Sequence, residues 1–138
     1  MIIYKDTKDI TDAHLRKLYD AVGWISYTNR TSDLSEILEQ SQIVYSAWSG
    51  ETLVGLIRTV GDGLTIQYVQ DFLVMPEFQK QGIGKELFTY VLKNSEHIRQ
   101  FVLMTDNSDD NQEIIKIYEK LGLKRFSDTG VCGLWRMK

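Results

Sequence analysis

A strand that runs through a glycine turn into a helix is the feature that most restricts how this chain can fold. Residues 69–75 are mostly apolar, which is typical of a buried strand, and Pro76 follows them. The period then becomes helical, because apolar residues share one stripe: Ile83, Leu87, Phe88, Val91 and Leu92. A second apolar strand is predicted at 101–105. Strand, helix and strand in this order predict a right-handed crossover and a parallel pair.

The rest of the chain is predicted to complete a single domain, residues 1–138, of the α/β (α+β) class. Its 138 residues can bury one core without disulfides or metal. The patterns predict these further elements: strands at 2–5, 43–48, 53–60 and 64–74, helices at 11–22, 32–38 and 110–121, and closing strands at about 123–126 and 131–137. Residues 24–31 lack a period and are predicted to form a loop. We therefore expect a mixed, mostly antiparallel sheet of about seven strands, flanked by four helices on its two faces.

Composition argues against several classes of protein. Cys132 is the only cysteine, and His14 and His97 are the only histidines, so we expect neither a disulfide nor a metal site. No apolar run approaches the roughly 20 residues that cross a bilayer, and we expect a cytoplasmic protein without membrane contacts. Sixteen basic and nineteen acidic side chains give a net charge of −3, which disfavours nucleic acid as a partner.

The turn between the strand and the helix has the properties of an anion site. A helix N-terminus carries unpaired N–H groups and the positive end of the helix dipole, and both favour phosphate. Gly82 and Gly84 permit close approach of the main chain, while Lys80 and Lys85 add positive charge. Two glycines in such a turn also occur for packing alone, so spacing leaves both interpretations open. The P-loop and the complete dinucleotide motif are absent from the sequence.

Two motifs resemble the GNAT superfamily of N-acetyltransferases. The run Gln79-Lys-Gln-Gly82-Ile-Gly84 is similar to the Gln/Arg-x-x-Gly-x-Gly/Ala loop of that superfamily. The run from Asn111 to Leu123 contains Tyr118-Glu-Lys-Leu-Gly122 and resembles a second signature, with Leu123 in place of the usual Phe. The predicted order of strands and helices also matches the superfamily across nearly the whole chain.

This resemblance implies a GNAT fold, in which the fourth and fifth strands splay apart, and an enzyme that uses acetyl-CoA as its acetyl donor. Main-chain amides of the loop would hold the pyrophosphate, and an N–H near Val74 would polarise the thioester carbonyl. Tyr118 would protonate the departing thiolate, although its place on an apolar stripe alone indicates a core residue. The resemblance implies these coenzyme-binding residues: Phe72, Leu73, Val74, Gln79, Lys80, Gln81, Gly82, Ile83, Gly84, Lys85, Asn111 and Tyr118.

Asp71 interrupts one face of an otherwise apolar strand, where an unpaired carboxylate would be unfavourable. Two interpretations stay open: a structural hydrogen bond or ion pair, and a catalytic base or amine-binding group. The run Gln70-Asp71-Phe-Leu-Val-Met resembles the Glu-Asp-Phe-Phe-Val-Met type of sequence in polyamine acetyltransferases. Because Gln70 replaces the first acid of that pair, a polyamine site with two carboxylates is not expected.

The acceptor is expected to be a small cationic amine or an arylalkylamine that takes the acetyl group directly. Residues 31–77 contain seven acids and one base, Arg58, which suits a cation but also an ordinary solvated face. Trp24 and Tyr27 are candidates for an aromatic wall that would bind the acceptor beside Asp71. The turn Val22-Gly23-Trp24 resembles the arylalkylamine-acetylating branch, which implies an aromatic amine instead.

Three other functions stay open at the level of sequence. The chain could be an acetyl-CoA sensor without transfer activity, a peptide or protein N-acetyltransferase, or a phosphate-binding domain for another nucleotide. The resemblance also implies that a homodimer can form, because closing strands in this superfamily often pair or swap between subunits.

Overall fold

Five strands form one mixed sheet in the computed structural model, which describes all residues from Met1 to Lys138. The strands are β1 (Ile2–Lys5), β2 (Ile43–Ser49), β3 (Thr52–Gly61), β4 (Ile66–Val74) and β5 (Gln100–Leu103). They lie side by side in chain order, and every pair is antiparallel except the parallel pair of β4 and β5. The predicted mixed, mostly antiparallel sheet is therefore confirmed.

Five α-helices accompany the sheet: α1 (Asp12–Ala21), α2 (Ile25–Thr28), α3 (Ser35–Glu39), α4 (Ile83–Lys93) and α5 (Gln112–Lys120). The chain forms two compact units. The first, Met1–Leu103, holds the whole sheet and α1 to α4, and the second, Met104–Lys138, holds α5. None of the helices combines the length and the apolar character that a membrane span requires.

Two details of the predicted fold are wrong. The sheet has five strands rather than about seven, because Phe126–Asp128 forms a 3-10 turn and residues 131–137 form no regular element. A strand needs a neighbour for its hydrogen bonds, and no strand pairs with either closing segment. The chain has five helices rather than four, because the predicted loop at 24–31 contains α2. There the N–H groups of Thr28 and Asn29 donate to the carbonyls of Trp24 and Ile25.

Helices cover both faces of the sheet, as the patterns predicted. On one face, the α1 residue Tyr19 reaches Asp71 of β4. On the other face, the α4 residue Phe88 stacks on Phe72 of β4. Adjacent residues of a strand point to opposite faces, so β4 serves both layers. A Cβ added at Gly55 of β3 would lie 3.2 Å from two side chains of α4, and the glycine therefore permits this close approach.

The strand β4 extends beyond its partner β5. Their pairing joins Ile66–Val69 to Gln100–Leu103, whereas β4 continues to Val74. On its other side β4 remains paired with β3 as far as Val74, across a bulge at Gln70. The β5 side of residues 70–74 consequently has no partner within the sheet.

Candidate active site

The carboxyl end of β4 presents main-chain donors that the sheet does not use. The N–H of Met75 donates to the carbonyl of Val54 at 2.8 Å, and main-chain direction alternates along a strand. The N–H groups of Phe72 and Val74 therefore face away from β3, on the side where β5 has ended. Gln79 Nε2 donates to the carbonyl of Val74 at 3.0 Å, which links this edge to the following turn.

The turn before α4 presents a row of main-chain N–H groups. Lys80 and Gly82 have positive φ values of 63° and 85°, which bend the chain sharply before the helix. The first bond that enters α4 runs from the Glu86 N–H to the Gly82 carbonyl at 3.1 Å. No N–H of residues 80–85 donates to a turn, a loop or a side chain. Since α4 has 11 residues, its dipole reinforces these donors, and the turn has the character of an anion site.

Gly84 and Phe72 join this turn to the free edge of β4. A Cβ added at Gly84 would contact Phe72 Cζ at 3.5 Å, and the Phe72 ring stacks on Phe88 with centroids 5.7 Å apart. Ile83 is buried beneath the turn, whereas Lys80, Gln81 and Lys85 are exposed. The first unit thus brings the expected residues of β4 and of the turn together. Leu73 is the exception, because its buried side chain faces the layer of α1.

Asp71 lies in a buried ion pair with Arg58, and the two side chains are 3% and 8% exposed. Arg58 Nε donates to Oδ2 of Asp71 at 2.5 Å, and the Tyr19 hydroxyl donates to the same oxygen at 2.8 Å. Asp71 therefore has the structural partners that one of its two interpretations required. Arg58 and Tyr19 were not among the predicted site residues. Arg58 could have been identified as the only base among the seven acids of residues 31–77.

Trp24 and Tyr27 belong to the same cluster as this ion pair. The Tyr27 hydroxyl accepts a bond from Arg58 Nη2 at 3.4 Å, and its ring stacks on Tyr19 with centroids 5.6 Å apart. Trp24 meets Tyr19 edge to face at 5.7 Å and is 37% exposed. Burial, reinforced by the charge of Asp71, raises the pKa of Tyr19 and of Tyr27, so both phenols stay neutral at pH 7. The cluster thus combines a neutralised carboxylate with a partly exposed aromatic surface.

Tyr118 and Asn111 belong to the second unit. Burial raises the pKa of Tyr118 to about 12, so its phenol keeps a proton at neutral pH. The Tyr118 carbonyl accepts the N–H of Leu123 at 3.1 Å where α5 ends. Asn111 Nδ2 donates to Thr105 Oγ1 at 2.9 Å and to the Asp106 carbonyl at 2.5 Å, so this side chain braces the loop before α5.

Known proteins resemble the chain in both sequence and fold. The profile described as "Acetyltransferase (GNAT) domain" matches residues 20–132. A solved GNAT-family acetyltransferase from Streptococcus pneumoniae is 33% identical, with a TM-score of 0.84 over 100% of this chain and 98% of that one. The uncharacterized N-acetyltransferase ycf52 of Porphyra purpurea is 28% identical over 97% of this chain and 76% of its own. AAC(6')-Iy in complex with a CoA-containing bisubstrate analogue is 16% identical and shares the fold, with a TM-score of 0.64 over 100% and 99% of the chains.

Proposed function

Because the chain belongs to the GNAT family of acetyltransferases, we propose that it transfers an acetyl group from acetyl-CoA to a primary amine of a small acceptor. Donor and acceptor bind together, the new amide bond replaces the thioester, and the sulfur leaves as a thiol. The observation that carries this proposal is the row of unused N–H groups at residues 80–85, which lies beside the unpaired edge of β4.

The residues of the turn fit a diphosphate. Their N–H groups lack other acceptors, α4 directs its positive end toward them, and Lys80 and Lys85 supply two charges. A Cβ at Gly82 would meet no atom within 4 Å, so the main chain there is open to a ligand. Acetyl-CoA supplies the activated acyl group when it is bound. The N–H of Val74 is the donor proposed to stabilise the negative charge that develops on the reacting carbonyl oxygen.

Tyr118 is proposed to act as the general acid toward sulfur. Its phenol is protonated at neutral pH because burial raises its pKa to about 12. Asp71 is proposed to help deprotonate the ammonium of the acceptor through a water molecule. Its Oδ2 already accepts two hydrogen bonds, and no side chain donates to Oδ1, which leaves that oxygen for a water molecule.

The acceptor is proposed to be an arylalkylamine rather than a polyamine. A polyamine requires uncompensated carboxylates, but Arg58 neutralises Asp71. Stacked and edge-on rings of Tyr19, Trp24 and Tyr27 instead offer an apolar surface, of which Trp24 is the most exposed part.

Calorimetry and an acceptor panel test this function. The whole chain should bind CoA at least tenfold more tightly than ADP, and thiol release should be fastest with arylalkylamines among polyamines, aminoglycosides and peptide N-termini. CoA binding without turnover on any amine would favour a sensor. Equal affinity for ADP would favour another nucleotide, and turnover on peptides alone would contradict the small acceptor.

A further inference from the structure

A cavity of about 280 Å³ lies at the end of β4 that is remote from the active-site turn. Gln67 of β4 lines it, together with Asn94, His97 and Ile98, which follow α4. The 11 residues of α4 span about 16 Å and separate the cavity from the turn. Since one water occupies about 30 Å³ in the liquid, the cavity has room for a small organic molecule. The proposed acetyl transfer does not use it.

One residue of the lining, Gln67, has a buried polar atom without a partner. Gln67 is 1% exposed, and its Nε2 donates to Thr59 Oγ1 at 2.9 Å. Its Oε1 accepts no hydrogen bond from any group of the protein. An unpaired buried amide oxygen is unfavourable, so a ligand that donates an N–H or O–H there would gain a hydrogen bond that the protein leaves open.

Other residues that line the same cavity carry further acceptors. Asn94 Nδ2 donates to the Tyr90 carbonyl at 2.8 Å, which leaves Oδ1 of Asn94 without a partner. His97 Nε2 donates to the Gly63 carbonyl at 2.9 Å, because a carbonyl oxygen can only accept. Asp6 Oδ2 accepts the Tyr90 hydroxyl at 2.6 Å, and Asp6 Oδ1 stays available. The lining therefore demands a ligand with several donors.

Lys8 contributes a cationic donor to the same lining. Its Nζ donates to the Ser41 carbonyl at 2.6 Å, which holds it in place and leaves two of its hydrogens for a ligand. With Asp6, it gives the lining one positive and one negative side chain. A ligand that matches this pattern carries an ammonium for the acceptors and a carboxylate for Lys8. We propose that the cavity is a second binding site, specific for a small zwitterionic aminocarboxylate.

Matched probes test the ammonium and the carboxylate separately. The probes are the ω-amino acids from glycine to 5-aminopentanoate, each compared with the amine and the carboxylic acid of the same length. Their binding to the whole chain is followed by amide chemical shifts in NMR spectra. The amino acid of suitable length should give saturable shifts centred on residues 94–98 and on the Gln67 side chain. The matching amine should bind more weakly, and the matching acid should not bind.

Three variants assign the recognition to named groups. Lys8→Met should make the amino acid bind no more tightly than the amine. Asp6→Asn should instead weaken the binding of both probes at least fivefold. Gln67→Met should weaken both at least tenfold, and the two exposed variants keep the test valid if that buried substitution impairs folding. Asp9→Asn and Lys17→Met make the same charge changes outside the cavity and should leave the affinities unaltered.

Several outcomes would overturn this second site. One is that no probe gives saturable chemical shifts, and another is that the acid binds as tightly as the amino acid. The others are that Lys8→Met still binds the amino acid more tightly than the amine, and that the shifts are confined to residues 79–85 or 24–27. Because the readout is NMR rather than turnover, the proposal fails or succeeds independently of the acetyltransferase assignment.

Discussion

Arg58 and Asp71 lie opposite each other on β3 and β4, and neither side chain is more than 8% exposed. Removing two charges from water is unfavourable, and the attraction between them offsets this only when the remaining polar atoms are also satisfied. Here Ser41 Oγ accepts from Arg58 Nη1 at 3.2 Å, and Tyr19 donates to Asp71. The pair is therefore stabilised by its partners, and a lone member would be strongly unfavourable.

Replacing one member of this pair should destabilise the chain more than replacing both. Arg58→Met and Asp71→Leu should each lower the free energy of unfolding by about 3–5 kcal/mol, because each leaves an uncompensated buried charge. The double variant should lose at least about 2 kcal/mol less than the sum of the two losses. Urea unfolding monitored by circular dichroism measures all four proteins. Additive losses would contradict a coupled ion pair.

Tyr118→Phe tests the proposed general acid. Loss of the phenolic proton should lower kcat about 100-fold or more, since general acid catalysis typically contributes about that factor. The affinity for CoA should stay within about twofold, as measured by calorimetry. Tyr45→Phe is the matched control on the sheet and should keep normal turnover. Full turnover in Tyr118→Phe would remove the assignment.

The pH dependence of the rate follows from the same residue. Because burial raises the pKa of Tyr118 to about 12, the acid remains protonated throughout the range from pH 6 to 10. The wild-type kcat should therefore show no loss of the general acid up to pH 10. Steady-state rates at saturating substrates measure this, and a decline between pH 8 and 9 that disappears in Tyr118→Phe would contradict it.

At the scale of elements, the sequence predicted the features that depend on neighbouring residues. It did not predict the contacts between residues that are distant in the chain. The turn at 79–84 and the stripe of α4 depend on neighbours in the chain, so the sequence reveals both. The partner of Asp71 depends on the register of β3 against β4, where the bulge at Gln70 shifts the pairing. Nothing near Asp71 in the chain specifies that register. The closing segments were predicted from alternation alone, which does not show whether a neighbouring strand exists.

Gly82→Ala tests the turn as a binding element. With φ at 85°, an alanine is strained by about 1–2 kcal/mol, although its Cβ would meet no atom within 4 Å. Any change in the turn misplaces its N–H groups, so the affinity for CoA should fall at least tenfold. Gly50→Ala is the control, because that glycine has φ of 59° and equally open space in the turn between β2 and β3. A similar affinity loss in both variants would indicate general destabilisation instead.

At the scale of the whole molecule, the tyrosines make the free energy of unfolding depend on pH in the alkaline range. Burial is the leading cause that raises the pKa in each of them, namely Tyr4, Tyr19, Tyr27, Tyr45, Tyr68, Tyr90 and Tyr118. Above pH 10 the unfolded chain therefore loses phenolic protons that the folded chain retains. Fewer protons are then bound in the unfolded state, so the free energy of unfolding decreases as pH rises.

Tyrosine ionisation should leave the free energy of unfolding nearly constant below pH 9 and should lower it steeply above pH 10. A phenol that stays protonated only in the folded state contributes a slope of about −1.4 kcal/mol per pH unit. Tyr19→Phe should reduce the steepness by about that amount, because Tyr19 is fully buried. Urea midpoints between pH 8 and 11 provide the measurement. An unchanged slope in the variant would contradict the contribution of Tyr19.

The second unit exposes an unusual number of large apolar side chains. Leu134, Trp135 and Met137 are 96%, 69% and 71% exposed in the unpaired closing segment. On α5, Ile114 and Ile117 are 47% and 51% exposed. Large apolar side chains that stay exposed in number are typical of an interface between proteins. We therefore expect the closing segment to be covered by a second copy of the chain.

A homodimer built through residues 131–137 should be disrupted by one charge in that segment. Leu134→Glu places a carboxylate where the partner would bury an apolar side chain, a burial worth about 1.5–3 kcal/mol. The dimer should therefore dissociate at least tenfold more readily, as sedimentation equilibrium would measure. Leu64→Glu is the control, since Leu64 is 71% exposed in the first unit. A monomeric wild-type chain at 100 µM, or an equal effect of both substitutions, would show that the exposed closing segment has no partner in solution.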